Sequence, residues 1–151
     1  MKKYRPITIN RRAKYDYDLH DRLLAGIALV GTEVKSVRLG KADLKGAFAS
    51  LKNDELWLNN VTIPPYQPAH APENYDALRA RKLLIHKKEL KKITAARQNG
   101  AQLVPTSIGA QGRFIKVELG LGTSRKKYDK RQVIKKRTDE RESRRSLKSK
   151  G

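Results

Sequence analysis

The chain contains no cysteine, which excludes disulfides and thiolate metal sites. Aromatic residues are sparse at 6%, with one Trp and two Phe. No amphipathic stretch gathers Trp or Phe on one side, as a helix lying on a membrane surface requires. No apolar run reaches membrane-spanning length. The N-terminus, Met1-Lys2-Lys3-Tyr4-Arg5-Pro6, is basic but lacks the apolar core of a signal peptide. The expected location is therefore the cytoplasm, with no membrane partner. The three histidines, His20, His70 and His86, are far apart and have no ligand spacing, so no metal is expected. There is no phosphate-cradling glycine loop and no nucleophile elbow. Glu33 and Glu118 could serve as acids, but nothing at pairing distance in the sequence answers them. The expectation is a protein without catalytic residues and without a cofactor.

Acids are also few: 15 against 35 Lys/Arg in 151 residues, a net charge of +20. The excess sits at the two ends. Residues 1–14 hold six Lys/Arg and no acid, and residues 123–151 hold thirteen Lys/Arg against four acids. Nucleic acid is the first partner to consider. In residues 123–151 the apolar side chains are only Tyr128, Val133, Ile134 and Leu147. Such a segment cannot bury enough surface to offset the entropy of ordering it. It reads as a disordered basic arm that orders on a polyanion, or as a solvated tail that aids solubility. Tyr128 within Arg125-Lys126-Lys127-Tyr128-Asp129-Lys130-Arg131 favours the first reading, because a ring beside cations can stack on a base while the cations hold phosphates.

Along the chain, residues 1–14 read as a mobile basic lead-in, with Pro6 blocking an early helix. Tyr15 to Leu19 alternates strictly and predicts a half-buried strand, continued from Leu23 to Val30 with a bulge or bend at Gly26. Gly31 to Gly40 predicts a short helix with Thr32 as its cap, Glu33 in its first turn, and Lys35 and Arg38 towards its end. Gly40 is its stop. Residues 47–52 and 55–58 predict a hairpin turning at Asn53-Asp54, and Val61 and Ile63 a further short strand. Asn74 or Asp76 could cap a helical region through Leu78 to Ile85, leading into a helix over 86–99 that stops at Asn99-Gly100. Leu103 to Ile108 predicts a strand that turns at residues 109–112 and returns as Arg113 to Leu121, after which Gly120 and Gly122 release the chain. Short antiparallel strands with two inserted helices, and no βαβ rhythm, predict a mainly β fold. The expected form is a small antiparallel oligonucleotide-binding-type barrel, residues 15–122, with flanking helices, a basic segment at 1–14 and a disordered basic arm at 123–151.

Three blocks, Gly31-Thr-Glu-Val-Lys-Ser36, Arg79-x-Arg81-Lys82-Leu83-Leu84 and Tyr128-Asp129-Lys130-Arg131, resemble the SsrA-binding protein (small protein B) family. Asn10-Arg-x-Ala13 and Lys116-Val117 extend the resemblance across roughly Asn10 to Arg137. It implies a non-enzymatic protein that binds the tRNA-like domain of transfer-messenger RNA, near its elbow, and delivers it to stalled ribosomes for trans-translation. It implies RNA contacts from Asn10, Arg11, Arg12, Lys14, Thr32, Glu33, Lys35, Ser36, Arg38, Arg81, Lys82, Leu84 and Lys116. It implies a tail acting in the ribosomal decoding region and message channel through Arg125, Lys126, Lys127, Tyr128, Asp129, Lys130, Arg131, Lys135, Lys136 and Arg137. The free protein is expected to be a monomer. The chain departs from the family pattern in three places. Leu24 stands where many members have Glu, Ser124-Arg125-Lys126-Lys127 where many have Gly-Lys-Lys, and Tyr128 where some have His. On residue patterning alone Val34, Val37, Leu83 and Leu84 read as core, while Lys35, Arg38, Arg79 and Lys82 suit phosphate contact. The competing readings are a constitutive ribosomal or general structured-RNA-binding protein and, from another class, a small RNA-modifying or nucleolytic enzyme.

Overall fold

The computed structural model describes residues 2–125; the expectations placed on residues 126–151, including those on Lys126 to Arg137, lie outside the described residues. The elements are β1 (Tyr4–Ile9), α1 (Ala13–Asp16), β2 (Tyr17–Ile27), α2 (Gly31–Arg38), β3 (Phe48–Lys52), β4 (Glu55–Asn59), β5 (Arg81–Leu84), α3 (Lys87–Gln98), β6 (Gln102–Gln111) and β7 (Phe114–Ser124). The strands form one sheet in the order β1-β6-β7-β2-β5-β4-β3, with every described pairing antiparallel. β3 comes against β6 without joining its ladder. The sheet therefore coils around one core, and β1 and β3 remain its edges. The mainly β expectation holds in this form.

Alternation decides what faces inward. From β7, Ile115, Val117, Leu119 and Leu121 are buried; from β4, Leu56 and Leu58; from β2, Ala25 and Ile27. Val37 of α2 and Ile93 of α3 close the core, both fully buried, each stabilising by about 1.5–3 kcal/mol. The β3–β4 hairpin turns at Asn53 and Asp54 with φ of 53° and 59°, as the sequence predicts, since these residues tolerate the left-handed region. Gly40 and Gly100 end α2 and α3 in that region too.

Several expectations are corrected. The lead-in contains β1, paired with β6 from Tyr4↔Gln111 to Ile9↔Ser107. Pro6 misled the reading, because an edge strand tolerates proline, here beside a register shift between Pro6 and Thr8. The first predicted strand begins two residues late, at Tyr17, because residues 13–16 wind into α1. The bulge in β2 lies between Leu19 and Asp21, not at Gly26. Val61 and Ile63 are buried, but only Thr62 makes a bridge, to Asp43. Residues 81–84 form β5, not a lead into a helix. The β6–β7 turn is confined to Gly112-Arg113, because residues 109–111 remain in the ladder. Gly122 does not release the chain: it pairs with Leu19, where a Cβ would fall 1.9 Å from the Asp18 carbonyl oxygen. The ladder runs on through Thr123↔Asp18 and Ser124↔Tyr17.

Candidate nucleic-acid interface

β7 turns its alternate residues Phe114, Lys116, Glu118 and Gly120 away from the core, and the ladder sets Gly26 beside Lys116, Leu24 beside Glu118 and Arg22 beside Gly120. On the other side of Gly26 lies Leu84 of β5. Two hollows lie end to end on this outer face. The first is lined by Gly26, Val34, Leu84, Arg113, Phe114 and Lys116. The second is lined by Tyr4, Asn10, Arg11, Lys14, Arg22 and Glu118, among others. Asn10 shapes the rim of the second: its side-chain amide donates to the Pro105 carbonyl at 2.9 Å, and its Oδ1 accepts the Arg12 N–H at 3.3 Å. Arg38, at the far end of α2, donates to the Arg113 carbonyl at 2.8 Å. The sheet thus brings together Asn10, Arg11, Lys14, Arg38, Leu84 and Lys116, residues that are widely separated in the chain.

The carboxylate of this face is Glu118, and it is not alone, as the sequence suggested. Arg22 pairs with it at 3.2 Å and the Thr106 hydroxyl donates to it at 2.9 Å. The Tyr4 hydroxyl shares a 2.8 Å hydrogen bond with Ser107. Burial pushes that phenol up from its ordinary value, the Ser107 bond opposes the rise, and the Glu118 charge adds to it. Tyr4 is therefore a neutral donor or acceptor here. The exposed Phe114 and Leu84 give the first hollow an apolar rim, of the kind on which an unstacked base or a ribose can rest. Leu84 was expected in the core; it is 53% exposed because it shares the outward face of β5 with Lys82.

Three residues expected to touch RNA are enclosed. Glu33 and Arg81 are both fully buried and face each other. Arg81 Nε donates to Glu33 Oε2 at 2.8 Å, its Nη1 to the Val61 carbonyl at 2.7 Å and its Nη2 to the Ala77 carbonyl at 3.0 Å. Arg79 also donates to Glu33. Glu33 Oε1 accepts the Val30 N–H at 3.0 Å, so Val30 and not Thr32 precedes the first turn of α2. Burial alone would raise the Glu33 carboxyl; the Val30 N–H, Arg79 and Arg81 together hold it below the usual carboxylate value. This cluster ties α2 to β5 and to the segment between β4 and β5. Ser36 is buried too, and its hydroxyl has no partner among the described residues. None of the three can reach an RNA outside the protein. The sequence pattern missed β5 because an arginine occupies its core position, and only the distant Glu33 makes that tolerable.

The remaining expected residues are dispersed. Arg12 lies over the Tyr15 ring at 4.7 Å and near Asp16 at 3.5 Å. Lys82 pairs with Glu55 at 3.3 Å. Thr32 and Lys35 lie on the other flank of α2, against Tyr66. Arg125, expected in a flexible tail, is held at the end of β7. Its N–H donates to the Asp16 carbonyl at 2.8 Å and its Nε to the Lys14 carbonyl at 3.1 Å. The ordered body therefore includes Arg125. Arg22, Arg113 and Phe114 on the outer face were missed by the sequence reading. Their signal was the outward half of the β7 alternation, which was read for its core half.

Residues 7–149 match the model of the family described as SmpB protein. The chain is 43% identical over 140 residues to the SsrA-binding protein of Synechococcus elongatus, covering 92% of this chain and 91% of that one. It is 46% identical over 143 residues to that of Ligilactobacillus salivarius, covering 94% and 92%. With that of Staphylococcus aureus it shares 43% identity over 151 residues, covering 98% and 97%. Among solved structures, a chain from "tmRNA-SmpB: a journey to the center of the bacterial ribosome" superposes with a TM-score of 0.65 at 42% identity, covering 83% of this chain and 92% of that one. With its residue blocks, its antiparallel sheet and these likenesses in agreement, the chain belongs to the SmpB protein family, that of the SsrA-binding proteins.

Proposed function

We propose that this chain binds transfer-messenger RNA and serves trans-translation on stalled ribosomes, acting in the cytoplasm as a binding and delivery protein with no chemistry of its own. The observation that carries the reading is the outer face of β2, β5, β6 and β7. It is an apolar strip at Leu84 and Phe114 edged by Arg38, Arg113, Lys116, Arg11 and Lys14, on a chain of this family. Cations at the rim suit phosphates and the strip between them suits bases or riboses. That arrangement fits a folded RNA such as the tRNA-like domain, recognised by shape and backbone.

Two tasks are then divided along the chain. The body through Arg125 holds the tRNA-like domain. Residues 126–151, with Lys126, Lys127, Tyr128, Asp129, Lys130, Arg131, Lys135, Lys136 and Arg137, act in the decoding region and message channel. The free protein is a monomer in this reading. The test is affinity for the isolated tRNA-like domain. Exchanging Arg11, Lys14 and Lys116 together for Ala weakens it by several kcal/mol, if each charged contact is worth ~1.5–3 kcal/mol. Normal binding by that variant places the RNA elsewhere.

A further inference from the structure

α2 presents two flanks. Residues four apart on a helix share a face, so Val34 and Arg38 turn together towards the first hollow. Thr32 and Lys35, three apart, turn to the opposite flank, where they meet Tyr66. Here the Tyr66 backbone N–H donates to Thr32 Oγ1 at 3.1 Å, and Pro64-Pro65 just before it restrict the backbone of the loop. The ring is thus held against α2 from both sides of the chain. Gly40, at φ 75°, then turns the chain so that Lys41 returns to the same ring. The ammonium groups of Lys35 and Lys41 lie 5.3 and 6.0 Å from the ring centroid.

These two lysines differ from most cations around them. Arg12, Arg22, Arg79, Arg81, Lys82, Lys92 and Arg125 each face a carboxylate. Lys35 and Lys41 face none among the described residues and are exposed. Their described neighbour is the half-buried phenol ring. Asp43, the nearest acid in sequence, has its carboxylate turned to the Lys45 N–H at 2.9 Å. A ring restrained by its backbone, with two uncompensated ammonium groups beside it, matches what an unpaired nucleotide needs: a surface for the base and cations for the phosphates on either side of it.

We infer that Lys35, Tyr66 and Lys41 form a second RNA contact, one that stacks an unpaired nucleotide on Tyr66 and clamps its flanking phosphates. It lies on the flank of α2 turned away from the outer face, so it can be filled while the tRNA-like domain is bound. The unpaired nucleotide can come from transfer-messenger RNA outside its tRNA-like domain or from ribosomal RNA, and the chemistry is the same.

The test uses the full chain and its Tyr66→Phe, Tyr66→Leu and Lys35→Ala/Lys41→Ala variants. The probes are fluorescent hexauridylate and hexaadenylate, the isolated tRNA-like domain, and ribosomes stalled on a truncated message. Stacking on one base predicts that Tyr66→Leu, which keeps the packing bulk, loses about 5- to 150-fold in oligonucleotide affinity, with Tyr66→Phe close to the parent. The double lysine variant flattens the single-strand salt dependence by about 1.4 in log–log slope. Affinity for the tRNA-like domain stays unchanged in all three. Loss with ribosomes assigns the nucleotide to ribosomal RNA; loss with whole transfer-messenger RNA alone assigns it to that molecule. Equal oligonucleotide affinity for Tyr66→Leu and the parent overturns the inference, as does a loss confined to the tRNA-like domain. A parent chain that does not bind the tRNA-like domain refutes the proposed function and leaves this contact to be judged by the oligonucleotide arm.

Discussion

Glu33→Gln is the perturbation whose cost the structure defines most closely. Glu33 and Arg81 are each fully buried, and Arg81 spends its three nitrogens on Glu33 and the carbonyls of Val61 and Ala77. Glutamine preserves the shape but removes the charge, so a guanidinium stays in the interior without a counter-ion. Breaking a buried pair from one side costs about 3–5 kcal/mol, against a total stability on the order of 5–15 kcal/mol for a domain. Part of the cost can be relieved through Arg79, which is partly exposed and can turn to water. The assay is urea unfolding of the full chain, followed by tryptophan fluorescence, for Glu33→Gln, Arg81→Met and the double variant. Each single change lowers the midpoint strongly. The double costs clearly less than the sum, because Met at 81 no longer needs a carboxylate. A loss below about 1 kcal/mol in Glu33→Gln, or strict additivity in the double, refutes the claim that this pair holds α2 against β5.

The same carboxyl sets an acid limit. Its folded value is depressed, so its stabilisation is complete above the unfolded value of about 4.3 and is lost as pH falls through the lower folded one. Urea midpoints between pH 5 and 2 fall less steeply in Glu33→Gln than in the parent, and parallel curves contradict this. Gly122→Ala places a methyl 1.9 Å from the Asp18 carbonyl oxygen and lowers stability by at least ~1–3 kcal/mol through forced strand separation, read as a lowered melting temperature. Affinity for the tRNA-like domain falls with salt, at a log–log slope of about −4 to −9 if ~6–10 phosphates are neutralised; a flat response removes the phosphate-contact account. Tyr128→Ala lowers rescue through lost stacking worth ~1–3 kcal/mol per base, with Tyr128→Phe milder, measured as peptidyl transfer on stalled ribosomes.

The parts of the fold that the residues announced are those whose signals are local. Asn53-Asp54 marks the β3–β4 turn by its own conformational preference, and Gly40 and Gly100 mark helix ends in the same way. The alternation of Ile115, Val117, Leu119 and Leu121 marks β7 and its inward face. What escaped depends on partners far along the chain. β5 was hidden because Arg81 fills a core position that only Glu33 makes habitable. β1 was hidden because proline and exposed polar residues also describe an edge strand. The interface was half visible for the same reason. Asn10, Leu84 and Lys116 were named from their blocks. Arg22, Arg113 and Phe114 join them only because the sheet sets β2 and β7 side by side. Glu33, Ser36 and Arg81 belong to the same blocks but serve the interior.

The division of labour between body and tail is the central claim, and truncation after Arg125 tests it most directly. The cut leaves β7 and its anchor to Lys14 and Asp16 intact, so the body keeps its fold. The measurement pairs affinity for the tRNA-like domain with peptidyl transfer to charged transfer-messenger RNA on stalled ribosomes. The account predicts affinity near that of the full chain and transfer abolished. A truncated chain that loses both to the same degree, or neither, contradicts it.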